Sequence, residues 1–124
     1  MDAFELAKTA GRLAEEKKAK DIVILELIGL TDIADYFLIA SGRNERHVKT
    51  IAEHILESAK HMGIKVYSTE GVENGRWAVI DFSTVVVHLF LQPLRELYDL
   101  ESLWYEAKKY TFSGEKKLKG AVDG

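Results

Sequence analysis

The chain has no cysteine among its 124 residues. That excludes a disulfide framework, a thiol nucleophile and any thiolate metal site, and it fits a reducing compartment. Proline is almost as scarce: the one residue, Pro93, suits the first turn of a helix and leaves no Pro-rich linker. No apolar run approaches the roughly 20 residues that span a bilayer. Positive charge is in deficit too, with 17 Lys and Arg against 20 Asp and Glu for a net charge of −3. Affinity built on many phosphate contacts would need a local patch, so direct nucleic-acid readout is not expected, and a mildly acidic surface suits a basic protein partner. The N-terminus carries Asp2 and Glu5 in an amphipathic pattern, whereas a secretion signal opens with positive charge and an unbroken apolar core. A cytoplasmic protein is expected.

What is present reads as one domain with room for a single core. Phe4, Leu6, Ala7, Ala10, Leu13 and Ala14 recur at steps of three and four and predict an amphipathic helix ending near Lys18. Residues 21–27 and 36–41 read as strands too close in sequence for a parallel crossover, hence antiparallel, and the second is apolar on both faces. Val48, Ile51, Ala52, Ile55, Leu56, Ala59 and Met62 predict a long helix, with Asn44 as N-cap and Gly63 as C-cap. Residues 64–69, 76–82 and 85–91 read as three further strands, and Pro93 opens a helical stretch to Tyr110, bent or in two pieces. The order α-β-β-α-β-β-β-α predicts a single α/β domain, residues 1–110, with a mixed five-stranded sheet and flanking helices. Residues 111–124 contain few apolar side chains and are expected to form a flexible, fraying tail.

If Ser83 and Thr84 form a two-residue turn, the register of the last hairpin follows. Phe82 faces Val85, Ile80 faces Val87 and Ala78 faces Leu89 on one uniformly apolar side. On the other side Asp81 faces Val86, Val79 faces His88 and Trp77 faces Phe90. That mixture of aromatic and polar groups suits a surface that tolerates water yet buries an aromatic anchor on binding, but it equally suits packing beneath the C-terminal helix. As a surface anchor, Trp77 should be removable at a cost within about 1 kcal/mol of stability.

Motifs for chemistry are thin. Ser41-Gly42 between a strand and a helix resembles a phosphate-holding turn. Nucleotidyl transfer, however, needs clustered carboxylates for two metal ions on a following strand, and these strands carry only Asp81. Glu70 and Glu73 lie in a loop at a spacing that does not converge on one ion. His47, His54 and His61 share a helical stripe, but seven residues rise roughly 10.5 Å, too far to share a ligand. Ser41, Asp81 and His88 could be drawn as a triad, yet the register sets Asp81 and His88 diagonally and Ser41 lacks a nucleophile-elbow context. No metal, no cofactor and no catalysis are expected.

Four ordered blocks, "DYFLIASGRNERHV", "EG" at Glu70-Gly71, "WAVIDFSTVVVHLF" and "RELYDLESLW", together resemble the Iojap family, also called ribosomal silencing factors. The resemblance implies a nucleotidyltransferase-like fold without the catalytic carboxylates, so that the Ser-Gly turn is scaffold. It also implies binding to the large ribosomal subunit through large-subunit ribosomal protein fourteen, blocking small-subunit joining and lowering translation when nutrients are scarce. Carried over block by block, the partner-binding residues are Trp77 as anchor with Asp81, His88 and Phe90 around it, and Arg95, Tyr98, Glu101 and Trp104 from the last block. Trp104 also has the spacing of a core face with Leu100 and Leu103. Arg46, His47, Glu70 and Gly71 match without an assignable contact, though Arg46 and Glu70 could pair to tie helix to loop. The alternatives are a large-subunit assembly factor, a metal-dependent nucleotidyltransferase with an unusual carboxylate set, and a homodimer using an exposed strand or the Trp77 face.

Overall fold

Asp2 starts the first helix by accepting a hydrogen bond from the Glu5 amide over 2.8 Å, and the helix α1 (Ala3–Glu16) then buries Ala7, Ala10, Leu13 and Ala14 along one stripe. In this computed structural model residues 1–112 are described in full and residues 118–122 by their backbone. The second long helix, α2 (Glu45–His61), has Asn44 as N-cap, its Oδ1 accepting from the His47 amide over 2.8 Å. Beyond the Met62 cap, Gly63 takes φ of 70° and turns the chain away, the left-handed exit that glycine adopts without strain. Both caps lie where the sequence predicts them, within one residue.

The strands are β1 (Lys20–Glu26), β2 (Tyr36–Gly42), β3 (Ser68–Glu70), β4 (Trp77–Asp81), β5 (Val85–Leu91), β6 (Lys108–Phe112) and β7 (Leu118–Val122). They form one mixed sheet in the order β3-β4-β5-β2-β1-β6-β7, in which β2 and β5 are parallel and the other pairs antiparallel. Alternation along β2 divides its side chains between two cores. Leu38 joins Ile51, Ile55 and Leu89 beneath α1 and α2, and Ile39 joins Leu25, Phe37 and Phe90 on the opposite face. Each such fully buried aliphatic side chain contributes about 2 kcal/mol. The second core is covered by two short helices, α3 (Gln92–Tyr98) and α4 (Leu100–Leu103), through Leu94, Leu100 and Trp104.

The hairpin register is as predicted, Trp77 opposite Phe90, Val79 opposite His88 and Asp81 opposite Val86. Ser83 takes φ of 75° in its turn.

Three expectations are corrected. The strand expected at 64–69 pairs only over Ser68–Glu70, because the Ile64 amide is still bonded to the Ala59 carbonyl at the α2 exit and Ile64 and Val66 pack inward as a connection. The helical stretch expected to reach Tyr110 breaks at Asp99, which adopts φ of 48°. Residues 108–112 instead add a strand to the free edge of β1, and with β7 the sheet has seven strands rather than five. Tertiary contacts account for this: Tyr110 packs on Phe4 at 5.1 Å, and the Phe112 ring lies over Gly11, where a Cβ would stand 2.6 Å from it. The boundary expected at residue 110 therefore falls inside β6. Of the tail, residues 113–117 and 123–124 lie outside the described residues.

Candidate partner-binding face

Period-two alternation on β4 and β5 brings Trp77, Val79, Asp81, Val86, His88 and Phe90 to the face opposite α1 and α2. The Trp77 ring stacks on Phe90 with centroids 4.8 Å apart and meets Tyr98 of α3 at 4.7 Å. Its Nε1–H donates to His88 Nδ1 over 3.1 Å. His88 also meets the Phe37 ring edge-on at 4.5 Å. Burial pushes the His88 pKa down to about 4, so the imidazole is neutral near pH 7. Since Nδ1 accepts, its proton is on Nε2, a buried atom with no hydrogen-bond partner among the described residues.

Burial divides the eight sequence-predicted residues by role. Phe90 is 1% exposed and His88 is buried, so they support the platform from beneath. Trp77 is half-buried and Tyr98 is 52% exposed, and these two present aromatic surface to solvent. Trp104, half-buried, stands edge-on to Phe37 at 6.3 Å and closes the second core. Asp81 lies apart at the hairpin end, its Oδ1 accepting from the Ser83 amide over 2.7 Å.

Arg95 and Glu101 form an internal clamp. The buried guanidinium donates from Nε to Glu101 Oε1 over 3.0 Å, from Nη2 to Oε2 over 3.3 Å, and from Nη1 to the Ser41 hydroxyl over 3.0 Å. Lys109 adds a contact to Glu101 Oε2 at 3.2 Å. Burial alone would raise the Glu101 pKa, but hydrogen bonding and charge from Arg95, then Lys109, outweigh it and hold the carboxyl below its ordinary value. The clamp thereby fixes α3 and α4 across the ends of β2 and β6.

The chemistry weighed from sequence is not assembled. Ser41 is engaged by Arg95, His88 by Trp77 and Asp81 by its own turn, so the three make no triad. His47, His54 and His61 have separate partners: the Lys17 carbonyl at 2.7 Å, Glu16 at 2.8 Å and Glu57 at 3.2 Å. Among the described residues no group of three His, Asp or Glu side chains could hold a metal ion, and no helix is long and apolar enough to cross a membrane. Arg46 and Glu70 do not pair; Lys49–Glu73 at 3.2 Å and Arg76–Glu45 at 3.3 Å tie the loop to α2 instead.

The model of the family described as ribosomal silencing factor during starvation matches residues 1–122. The chain belongs to that family. It is 38% identical over 107 residues to the ribosomal silencing factor of Bacillus subtilis, covering 86% of this chain and 91% of that one. A crystal structure of a Chromobacterium violaceum protein matches with a TM-score of 0.82 at 35% identity, over 85% of this chain and 88% of that one. A mouse protein named for mitochondrial assembly of the ribosomal large subunit is 32% identical over 95 residues, 74% of this chain and 42% of that one.

Two features of this face escape sequence reasoning. Leu97, 72% exposed, Leu103, 68%, and Tyr105, 73%, stand in solvent on the segment that covers the second core. A signal exists: residues 94–105 contain more large apolar side chains than one buried helical stripe accommodates. The other is the contact made by Gly71, a residue matched from sequence without one: φ is 72°, and its absent Cβ would lie 2.0 Å from the Trp77 carbonyl oxygen. The glycine lets the loop close against the backbone of Trp77.

Proposed function

We propose that this ribosomal silencing factor docks its Trp77–Tyr98 face on large-subunit ribosomal protein fourteen and, by occupying the subunit interface, prevents the small subunit from joining. Translation then falls when nutrients are scarce. The observation that carries this reading is the aromatic platform with solvent-exposed Leu97, Leu103 and Tyr105 on the flanking segment, since exposed aromatic and aliphatic clusters mark protein interfaces. Occupancy suffices and catalysis is not required. The net charge of −3 favours a basic partner and speeds encounter more than it tightens binding. A cytoplasmic location follows from the reading, because that is where subunits join.

The name of the mouse relative supports a second reading, in which the same docked state assists assembly of the large subunit. A second copy of the chain competes for the same face, and a dimer formed there has to dissociate before docking.

Co-sedimentation with isolated large subunits, small subunits and joined ribosomes tests the proposal. Binding to large subunits alone, with loss of joining, supports silencing. With immature large particles run in parallel, binding confined to these favours assembly, and binding to no particle overturns both readings.

A further inference from the structure

The exit of α1 and the entry of α2 enclose a cleft of about 360 Å³ lined by Lys17, Lys18, Arg43, Arg46, His47 and Thr50, among others. The four Lys and Arg side chains are exposed, and none forms an ion pair among the described residues. Glu16 also lines the cleft, and its carboxylate is engaged by His54 at 2.8 Å. In a chain with a net charge of −3, four cations and one carboxylate around one cleft are a strong local departure.

The cleft is built, not incidental. His47 is buried, its Nδ1 accepting from the Arg43 amide over 2.9 Å and its Nε2–H donating to the Lys17 carbonyl over 2.7 Å. One imidazole thus ties together a basic residue from each wall. Lys18 turns out of α1 with φ of 63°, which brings the second lysine to the same rim.

Its position relative to the aromatic face follows from the sheet. Gly42, at the end of β2, is opposite Leu91, and Trp77 is opposite Phe90 one position away, so the α2 entry and the Trp77 anchor lie at the same end of the molecule. The ion pair of Arg76 with Glu45 joins the residue before Trp77 to the residue before Arg46. A large partner seated on Trp77 can therefore reach the cleft without displacing α1 or α2.

We propose that this cleft receives the phosphate backbone of RNA on the surface where the aromatic face docks; the location, though not the chemistry, rests on the large-subunit reading above. Lys17, Lys18, Arg43 and Arg46 neutralise phosphates without reading bases, and His47 is the positioning residue that sets their spacing. The protein face supplies specificity and the cleft supplies a salt-dependent second contact.

The test compares the full chain with an Arg43→Gln/Arg46→Gln variant, whose altered side chains make no internal hydrogen bond among the described residues, after thermal melts confirm equal folding. Affinity for isolated large subunits is measured across a salt series, and affinity for a mixed-sequence RNA duplex in parallel. The double variant should bind subunits roughly tenfold more weakly at low salt, with a slope of log affinity on log salt shallower by about 1.5 to 2. Trp77→Phe should weaken binding without changing that slope. Unchanged slopes with subunits and no variant-sensitive RNA binding overturn the cleft proposal while leaving subunit docking in place. Variant-sensitive RNA binding without subunit binding keeps the cleft and removes the docking reading. A slope change reproduced on isolated ribosomal protein fourteen would assign the cleft to protein carboxylates and overturn the RNA assignment.

Discussion

Trp77 and His88, diagonal across the β4–β5 pair and two residues out of cross-strand register, are joined by a hydrogen bond from the indole Nε1–H to the imidazole Nδ1 over 3.1 Å. The contact links the half-buried indole to the buried layer beneath it. Trp77 is therefore both a surface residue and part of the second core.

Its substitution has to be read on both counts. Trp77→Ala strips stacking from Phe90 and Tyr98 and leaves Nδ1 unpaired, so it should cost about 2–3 kcal/mol of stability, more than the 1 kcal/mol expected of a surface anchor. Trp77→Phe keeps the stack and loses only the donor, for about 1–2 kcal/mol. In a His88→Leu background the same Trp77→Phe change should cost less than about 0.5 kcal/mol, because no buried acceptor is then orphaned. Urea unfolding of the four proteins closes the cycle, and equal costs in both backgrounds would show the hydrogen bond to be inert.

Acid should act through His88. Its folded pKa is about 4 against an ordinary 6.5, so between these values the unfolded chain binds a proton that the folded chain refuses. Stability then rises with pH across that window and is lost as pH falls from 6.5 toward 4, by up to about 3 kcal/mol. His88→Gln has nothing to titrate there and should flatten the pH 6.5 to 4.5 part of the profile. Urea midpoints at half-unit pH steps decide this, and parallel profiles would mean that the imidazole is hydrated when folded.

The sequence discloses the elements whose local pattern agrees with their tertiary partners. Val48, Ile51, Ile55 and Ala59 fall on one helical stripe, and Trp77 to Asp81 alternates opposite Val86 to Phe90, so α2 and the last hairpin are legible residue by residue. Lys108–Phe112 is not, because its strand state comes from the open edge of β1 and from Phe112 seated over Gly11, both remote in sequence. The same limit applies to the site. Alternation places Trp77, His88 and Phe90 on one face, but it cannot tell that Phe90 is sealed beneath Trp77. Nor can it tell that Arg95 turns inward to Ser41.

Gly71 should prove intolerant of the smallest side chain. Alanine at φ of 72° is strained in its own right, and its Cβ would stand 2.0 Å from the Trp77 carbonyl oxygen, a backbone atom that yields only if β4 moves. Gly71→Ala should therefore cost about 2–4 kcal/mol and shift the environment of Trp77. Urea unfolding followed by indole fluorescence measures both at once. Unaltered stability with unaltered fluorescence would mean that the loop relaxes independently of the strand.

The Arg95–Glu101 clamp carries the sharpest contrast between breaking a pair and removing it. Glu101→Gln leaves a buried guanidinium without its counter-charge and should cost about 3 kcal/mol at pH 7, whereas Arg95→Met with Glu101→Leu removes both charges and should cost clearly less. Because the Glu101 carboxyl is held below its ordinary 4.5, its contribution is present above that value and fades as pH falls through the lower folded pKa. The Glu101→Gln deficit should accordingly shrink below pH 4.5, at the foot of the window in which His88 titrates, and the two acid responses separate in the double variant Glu101→Gln/His88→Gln. If Glu101→Gln matches the full chain at pH 7, the orientation of α3 and α4 is set by Leu94, Leu100 and Trp104 alone, and the ion pair is a passenger on that packing.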